Sequence, residues 1–130
     1  MLLSVPLLVL PVIAYNVLAF STGIAWSDEV LGLDMVSGAR WVMSVSDLFI
    51  AVTLVLLFGE ILKATRTGPG SLVDHILSTG LFIVCLVEFL LLPPAATSVF
   101  FLMTVITLID VIAGYSVTIS AARRDFALDR

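Results

Sequence analysis

Four long apolar runs divide this chain, separated by short segments that carry most of the breakers and charges. The first runs from Leu2 to Phe20, with Pro6 and Pro11 inside it. It lacks a Lys or Arg ahead of the apolar stretch and is longer than the apolar segment of a secretory signal. It is therefore expected to be a retained helix, kinked where the prolines remove backbone hydrogen bonds. The second run becomes apolar near Trp41 and ends at Lys63. Ser44 and Asp47 have the spacing of a capping box, so a helix over 44–64 is predicted, about 30 Å long and matched to a bilayer core. The third run, 72–92, follows the breaker Gly68-Pro69-Gly70. Ser71 and Asp74 repeat the capping-box spacing, and Pro93-Pro94 stops the helix. The fourth, 98–122, ends at Arg123-Arg124.

Four spans put both termini on one side. Lys63 and Arg66 lie between the second and third runs, and Arg123, Arg124 and Arg130 lie in the tail, whereas the opposite side has only Arg40. Basic residues concentrate on the cytoplasmic side. Both termini and the 63–71 loop are therefore expected in the cytoplasm, with loops 21–43 and 93–97 outside. The two halves show no internal repeat, which argues against an inverted-repeat transporter within one chain.

Loop 21–43 is the only sizeable segment outside the runs. Trp26 and Trp41 suit the membrane interface. Two short runs around Ser37-Gly38 read as a β-hairpin, and equally as an irregular or short helical loop on the headgroups. A lone two-stranded hairpin is marginal in water, so it would need the bilayer surface, a second copy or another subunit to cover it.

Composition reinforces the membrane reading. Of 130 residues, 61% are hydrophobic and 12% charged, about half the charged share of a soluble domain. The length allows one domain, residues 1–130. The fold class expected is an all-α membrane protein of four transmembrane helices. The formal charge is −4, but most of the carboxylates sit in or beside apolar runs, so it says little about partners. With no basic patch interleaved with aromatics, nucleic acid is not an expected partner.

A charge in the bilayer core is costly, so each acid needs a reason. Asp47 and Asp74 read as first-turn residues that take up free amides. Glu60 lies one turn before Lys63, at salt-bridge spacing. Glu88 lies four residues before the end of the third run, level with Asn16 in the antiparallel first helix, and a hydrogen bond between them is expected. Asp110 is the outlier, about 18 Å along the fourth run and close to the midplane. Its face continues through Thr107, Gly114 and Thr118, small and polar, which suits contact with another helix. Thr53 in the second run lies at similar depth and is the expected hydrogen-bond donor. The candidate intramembrane polar site is thus Asp110, Thr107, Thr53, Glu88 and Asn16. It is either a structural tie or a site that handles protons or cations.

Other chemistry is not indicated. The single histidine, His75, excludes a haem held by two histidines of one chain, and it reads as a solvated interfacial residue. Cys85 reads as apolar filler. No catalytic triad, phosphate-binding loop or cysteine pair is present, so neither an enzyme nor a cofactor is expected.

The segments Phe58-Gly59-Glu60-Ile61-Leu62-Lys63-Ala64-Thr65-Arg66-Thr67-Gly68, Asp74-His75, Leu86-Val87-Glu88-Phe89-Leu90, Asp110-Val111-Ile112-Ala113-Gly114 and Ala122-Arg123-Arg124-Asp125-Phe126 together resemble a group of small four-helix inner-membrane proteins of bacteria. The resemblance covers about Ser37 to Phe126. It implies the bacterial inner membrane and a four-span layout, and no activity. The role expected is a non-catalytic accessory or structural subunit, in contact with lipid and packed against itself or another membrane protein. The alternative is a small oligomeric transporter or channel for protons or cations, using Asp110 and Glu88.

Overall fold

Ser44 is where strand gives way to helix. Its backbone is still extended, and its hydroxyl accepts the Asp47 amide at 3.2 Å while the Asp47 carboxylate accepts the Ser44 amide at 3.1 Å. This reciprocal box satisfies two amides that the first turn would leave without acceptors. Helix α2 follows as Val45–Ala64. Ser44→Ala should cost about 1 kcal/mol, measured as a lowered midpoint of unfolding in mixed detergent; an unchanged midpoint would mean that the hairpin alone positions the start of α2.

In a computed structural model, the backbone is described over residues 5–65 and 69–128, and the side chains over the same residues except 69–71, 118 and 121–128. Helix α1 is Val9–Ser21, 13 residues and so about 20 Å long, short of a bilayer core. Residues 2–4 of the expected first span lie outside the described residues. The expected kink is replaced by a later start. Pro6 precedes the helix, and its carbonyl accepts the Val9 amide at 3.2 Å. Pro11 is the third helical residue, where the missing N–H has no intrahelical acceptor in any case.

Helix α3 is Pro69–Leu91, which corrects the expected start at Ser71. Proline takes the first helical position, where its fixed φ and missing amide cost nothing. Ser71 is therefore inside the first turn, and Asp74 is carried beyond it, away from the free amides. The chain leaves α3 through extended Leu92 and a 3-10 turn, Pro93–Ala95. Thr97 caps the next helix by accepting the Phe100 amide at 3.1 Å. Helix α4 is Ser98–Leu128, running past the expected end at Ala122.

Loop 21–43 does form a hairpin. Strands β1, Glu29–Asp34, and β2, Arg40–Ser44, pair antiparallel with Leu31 opposite Met43 and Leu33 opposite Trp41. Gly38 supplies the positive φ of 92° that the turn needs and that only glycine adopts freely.

Helix α4 is central, with α2 and α3 both packed along it. Among the described residues, three stretches, Val45–Ala64, Leu72–Leu91 and Ser98–Val117, are long and apolar enough to cross a membrane, with mean hydropathies of 2.2, 1.8 and 2.0. The packing is inverted relative to a soluble bundle. Helix α2 buries the stripe Thr53, Leu57, Glu60 and Ala64 but exposes Val52, Leu54, Val55, Phe58 and Leu62. Polar groups inside and apolar groups outside is the distribution that a hydrocarbon solvent favours.

An apolar core near the hairpin end is built on Tyr15, Cys85, Val99, Phe100 and Met103. Trp26, expected at the interface, stacks on Tyr15 with ring centroids 4.8 Å apart. The Tyr15 hydroxyl reaches the Pro94 carbonyl at 2.8 Å and the Thr97 hydroxyl at 2.7 Å. That pair of bonds ties α1 to the α3–α4 turn.

Candidate functional site

Below the apolar core, toward the end of the bundle away from the hairpin, the interior becomes polar. Glu60 on α2, Asp74, His75 and Ser78 on α3, and Thr107 and Asp110 on α4 are all buried. Their convergence follows from helix arithmetic. Asp110 is about 18 Å from the hairpin end of α4, Ser78 about 20 Å from that end of α3, and Glu60 about 22 Å from that end of α2. Asp74 lies one turn before Ser78, and so one turn deeper.

Lys63 joins the carboxylates. Its ammonium lies 3.2 Å from Glu60 Oε1 and 3.5 Å from Asp74 Oδ1, with the lysine side chain itself mostly covered. It also donates to the Val5 carbonyl at 2.8 Å. The Leu7 amide donates to the same Glu60 oxygen. The segment that leads into α1 is thus fastened to the cluster by two backbone groups, one a donor and one an acceptor. Glu60–Lys63 is the i,i+3 pair expected from sequence. The link to Asp74 on another helix is not local and has no sequence signature.

Asp110 faces protein, with 5% of its surface exposed. Its carboxyl is hydrogen-bonded by Ser78 and feels the charges of Glu60, Asp74 and Lys63. The donor expected was Thr53. That hydroxyl, although buried, donates to the Phe49 carbonyl of its own helix at 2.8 Å. Thr107 likewise turns back to the Thr104 carbonyl at 2.7 Å. Helical threonines have this local acceptor always within reach, which is why shared depth alone misassigned the donor.

His75 is buried rather than solvated, and its ring lies 5.2 Å from that of Tyr115. Gly114 makes this possible, since a Cβ there would come within 3.0 Å of the imidazole. Gly114 follows Asp110 by one turn, so His75 enters the α3–α4 seam beside the carboxyl's own helix face.

Asn16 and Glu88 meet at the other end. The Asn16 amide donates to Glu88 Oε1 at 3.4 Å and to the Val12 carbonyl at 2.9 Å. Glu88 Oε2 is buried without a hydrogen-bond partner among the described residues. These two do not join Asp110: the apolar core, with Cys85 and Met103, lies between. The five residues singled out from sequence thus divide between two separate places.

The Asp110 cluster holds three carboxyl groups and one ammonium. Among the described residues, no group of three or more His, Cys, Asp or Glu side chains is arranged to hold a metal ion. Its chemistry is that of hydrogen-bonded charge compensation inside an apolar shell. Compared with protein families, curated proteins and solved structures, the chain matches none.

Proposed function

We propose that this chain is a small multi-pass protein of the bacterial inner membrane that serves as a non-catalytic subunit, packing in a homo-oligomer or a larger membrane complex. The observation that carries this reading is the sealed state of Asp110. A transport site would line a wet cavity, whereas this carboxyl is buried, hydrogen-bonded to Ser78 and surrounded by the Lys63 ion pairs. A buried polar network held within the chain acts to specify how three helices sit together, although Asp74 Oδ1 meets only the Lys63 ammonium and accepts no hydrogen bond among the described residues. The resemblance to small four-helix inner-membrane proteins of bacteria supports the location and the four spans, not the role. Native mass spectrometry of the protein, extracted gently from its own membrane, tests it. A stoichiometric assembly is expected, and a monomer without partners would refute it.

The proposal includes four spans with both termini in the cytoplasm. The turn over residues 5–8 would extend α1 toward a full crossing. The basic residues support this orientation: Lys63, Arg66, Arg123, Arg124 and Arg130 flank one side, and Arg40 the other. A periplasm-active reporter inserted between Gly32 and Gly38 should be active, and the same reporter after Arg130 silent. The reverse pattern would invert the topology.

A second reading is favoured by the charge count. Three carboxyl groups around one ammonium, in a low-dielectric interior, call for further positive charge, which a proton or a cation could bring. On this reading Asp110 handles the ion, and Glu88 is a second site beyond the apolar core.

A further inference from the structure

The hairpin has two unlike faces. The register places Leu31, Leu33, Trp41 and Met43 on one side. On the other, Arg40 lies across Gly32 and reaches Glu29 at 3.7 Å and Asp34 at 3.3 Å. A side chain at position 32 would collide with the Arg40 guanidinium, so glycine there lets one cation bridge two acids along the strand. The charged face is thereby self-compensated and suited to water, apart from Val42, which stands opposite Gly32 on the same side and is 44% exposed. The apolar face is left uncovered: Leu31 is 42%, Leu33 46% and Trp41 43% exposed.

The position of the hairpin decides what covers that face. Ser44 is both the last residue of β2 and the cap of α2, a helix of membrane length. The Val45 amide donates to the Asp28 carbonyl at 2.8 Å, and the Ser46 amide to the Trp26 carbonyl at 2.9 Å. The hairpin therefore has no spacer and stands where the apolar belt of the helices ends. We propose that its apolar face lies on the bilayer, with Trp41 at headgroup depth and the Glu29–Arg40–Asp34 face toward water.

Two features favour lipid over a second copy. The apolar face is built from four side chains, Leu31, Leu33, Trp41 and Met43, against the roughly 20–30 residues a side of a stable protein interface. It also carries a tryptophan next to a membrane helix, where the indole prefers the headgroup layer. The inference rests on the long helices crossing the bilayer, and flotation of the protein with vesicles reports that separately.

The experiment uses Trp26→Phe, which leaves Trp41 as the sole tryptophan. The protein is reconstituted into phosphatidylcholine vesicles brominated either near the headgroup or near the chain end. Loss of most Trp41 emission with the shallow bromines, and little with the deep ones, is expected. Emission typical of water that neither lipid quenches would overturn the proposal. So would shielding that depends on the protein-to-lipid ratio, because a second copy would then be the cover. Trp26 stacks on Tyr15, so an independent pair guards against misfolding: Leu33→Cys and Asp34→Cys, each with Cys85→Ala and a spin label. The label at 33 should be reached by oxygen and that at 34 by a water-soluble relaxant. Equal access of both labels to the water-soluble agent would sink the idea.

Discussion

Lys63→Met is expected to abolish most of the folded protein. The substitution keeps an unbranched side chain one atom shorter and removes the ammonium, leaving Glu60 and Asp74 buried beside Asp110 with no cation between them. Breaking a buried pair by removing one partner costs about 3–5 kcal/mol, most of it the penalty on the charge left behind. The loss should be larger than for an exposed pair, because both acids are buried and the lysine is mostly covered. It should also loosen the start of α1, since the same ammonium holds the Val5 carbonyl. Thermal unfolding in detergent, followed by circular dichroism, gives the midpoint. Adding Glu60→Gln and Asp74→Asn to Lys63→Met should recover much of the loss, because the stranded charges are then gone. An unchanged midpoint for the single variant would mean that the ion triad contributes nothing to the fold.

Asp110→Asn and Asp110→Leu should part company. Asparagine keeps the shape and can still bond Ser78, while it removes one titratable acid from a group of three. Folding and assembly are therefore expected to persist, with stability equal to or above that of the parent. Leucine leaves Ser78 without its partner and sets methyl groups against Glu60, Asp74 and Lys63. An unpaired buried polar group costs about 1–3 kcal/mol, and assembly should weaken accordingly. The asparagine variant also separates the two functional readings. As a structural tie, Asp110→Asn supports growth and partner capture like the parent. As an ion-handling group, the same variant assembles normally but loses proton or cation flux in reconstituted vesicles.

What could be read from the sequence alone was local. The capping box of Ser44 and Asp47, the stop at Pro93-Pro94 and the start at Ser98 each involve groups within one helical turn. They were legible because their partners are a few residues away. Glu60–Lys63 is of the same kind. The pairing of Asn16 with Glu88 needed only that consecutive helices run antiparallel. The apolar character of α2, α3 and α4 and the length of α2 followed from the runs themselves, because a membrane imposes a length, whereas α3 begins earlier and α4 ends later than its run.

Tertiary structure decided the rest. A start at Pro69 instead of Ser71 moved Asp74 out of the first turn and into the bundle, where Lys63 meets it. Whether Asp110 found Thr53 or Ser78 depended on rotation of the helices about their axes, which depth along the chain does not encode. His75 is buried because Gly114, 39 positions later in the chain, leaves room for its ring. The hairpin, one of two readings of its segment, is held by α2 amides that bond back to Trp26 and Asp28. Each of these outcomes rests on contacts between elements, and their energies depend on how the helices pack rather than on any neighbour in sequence.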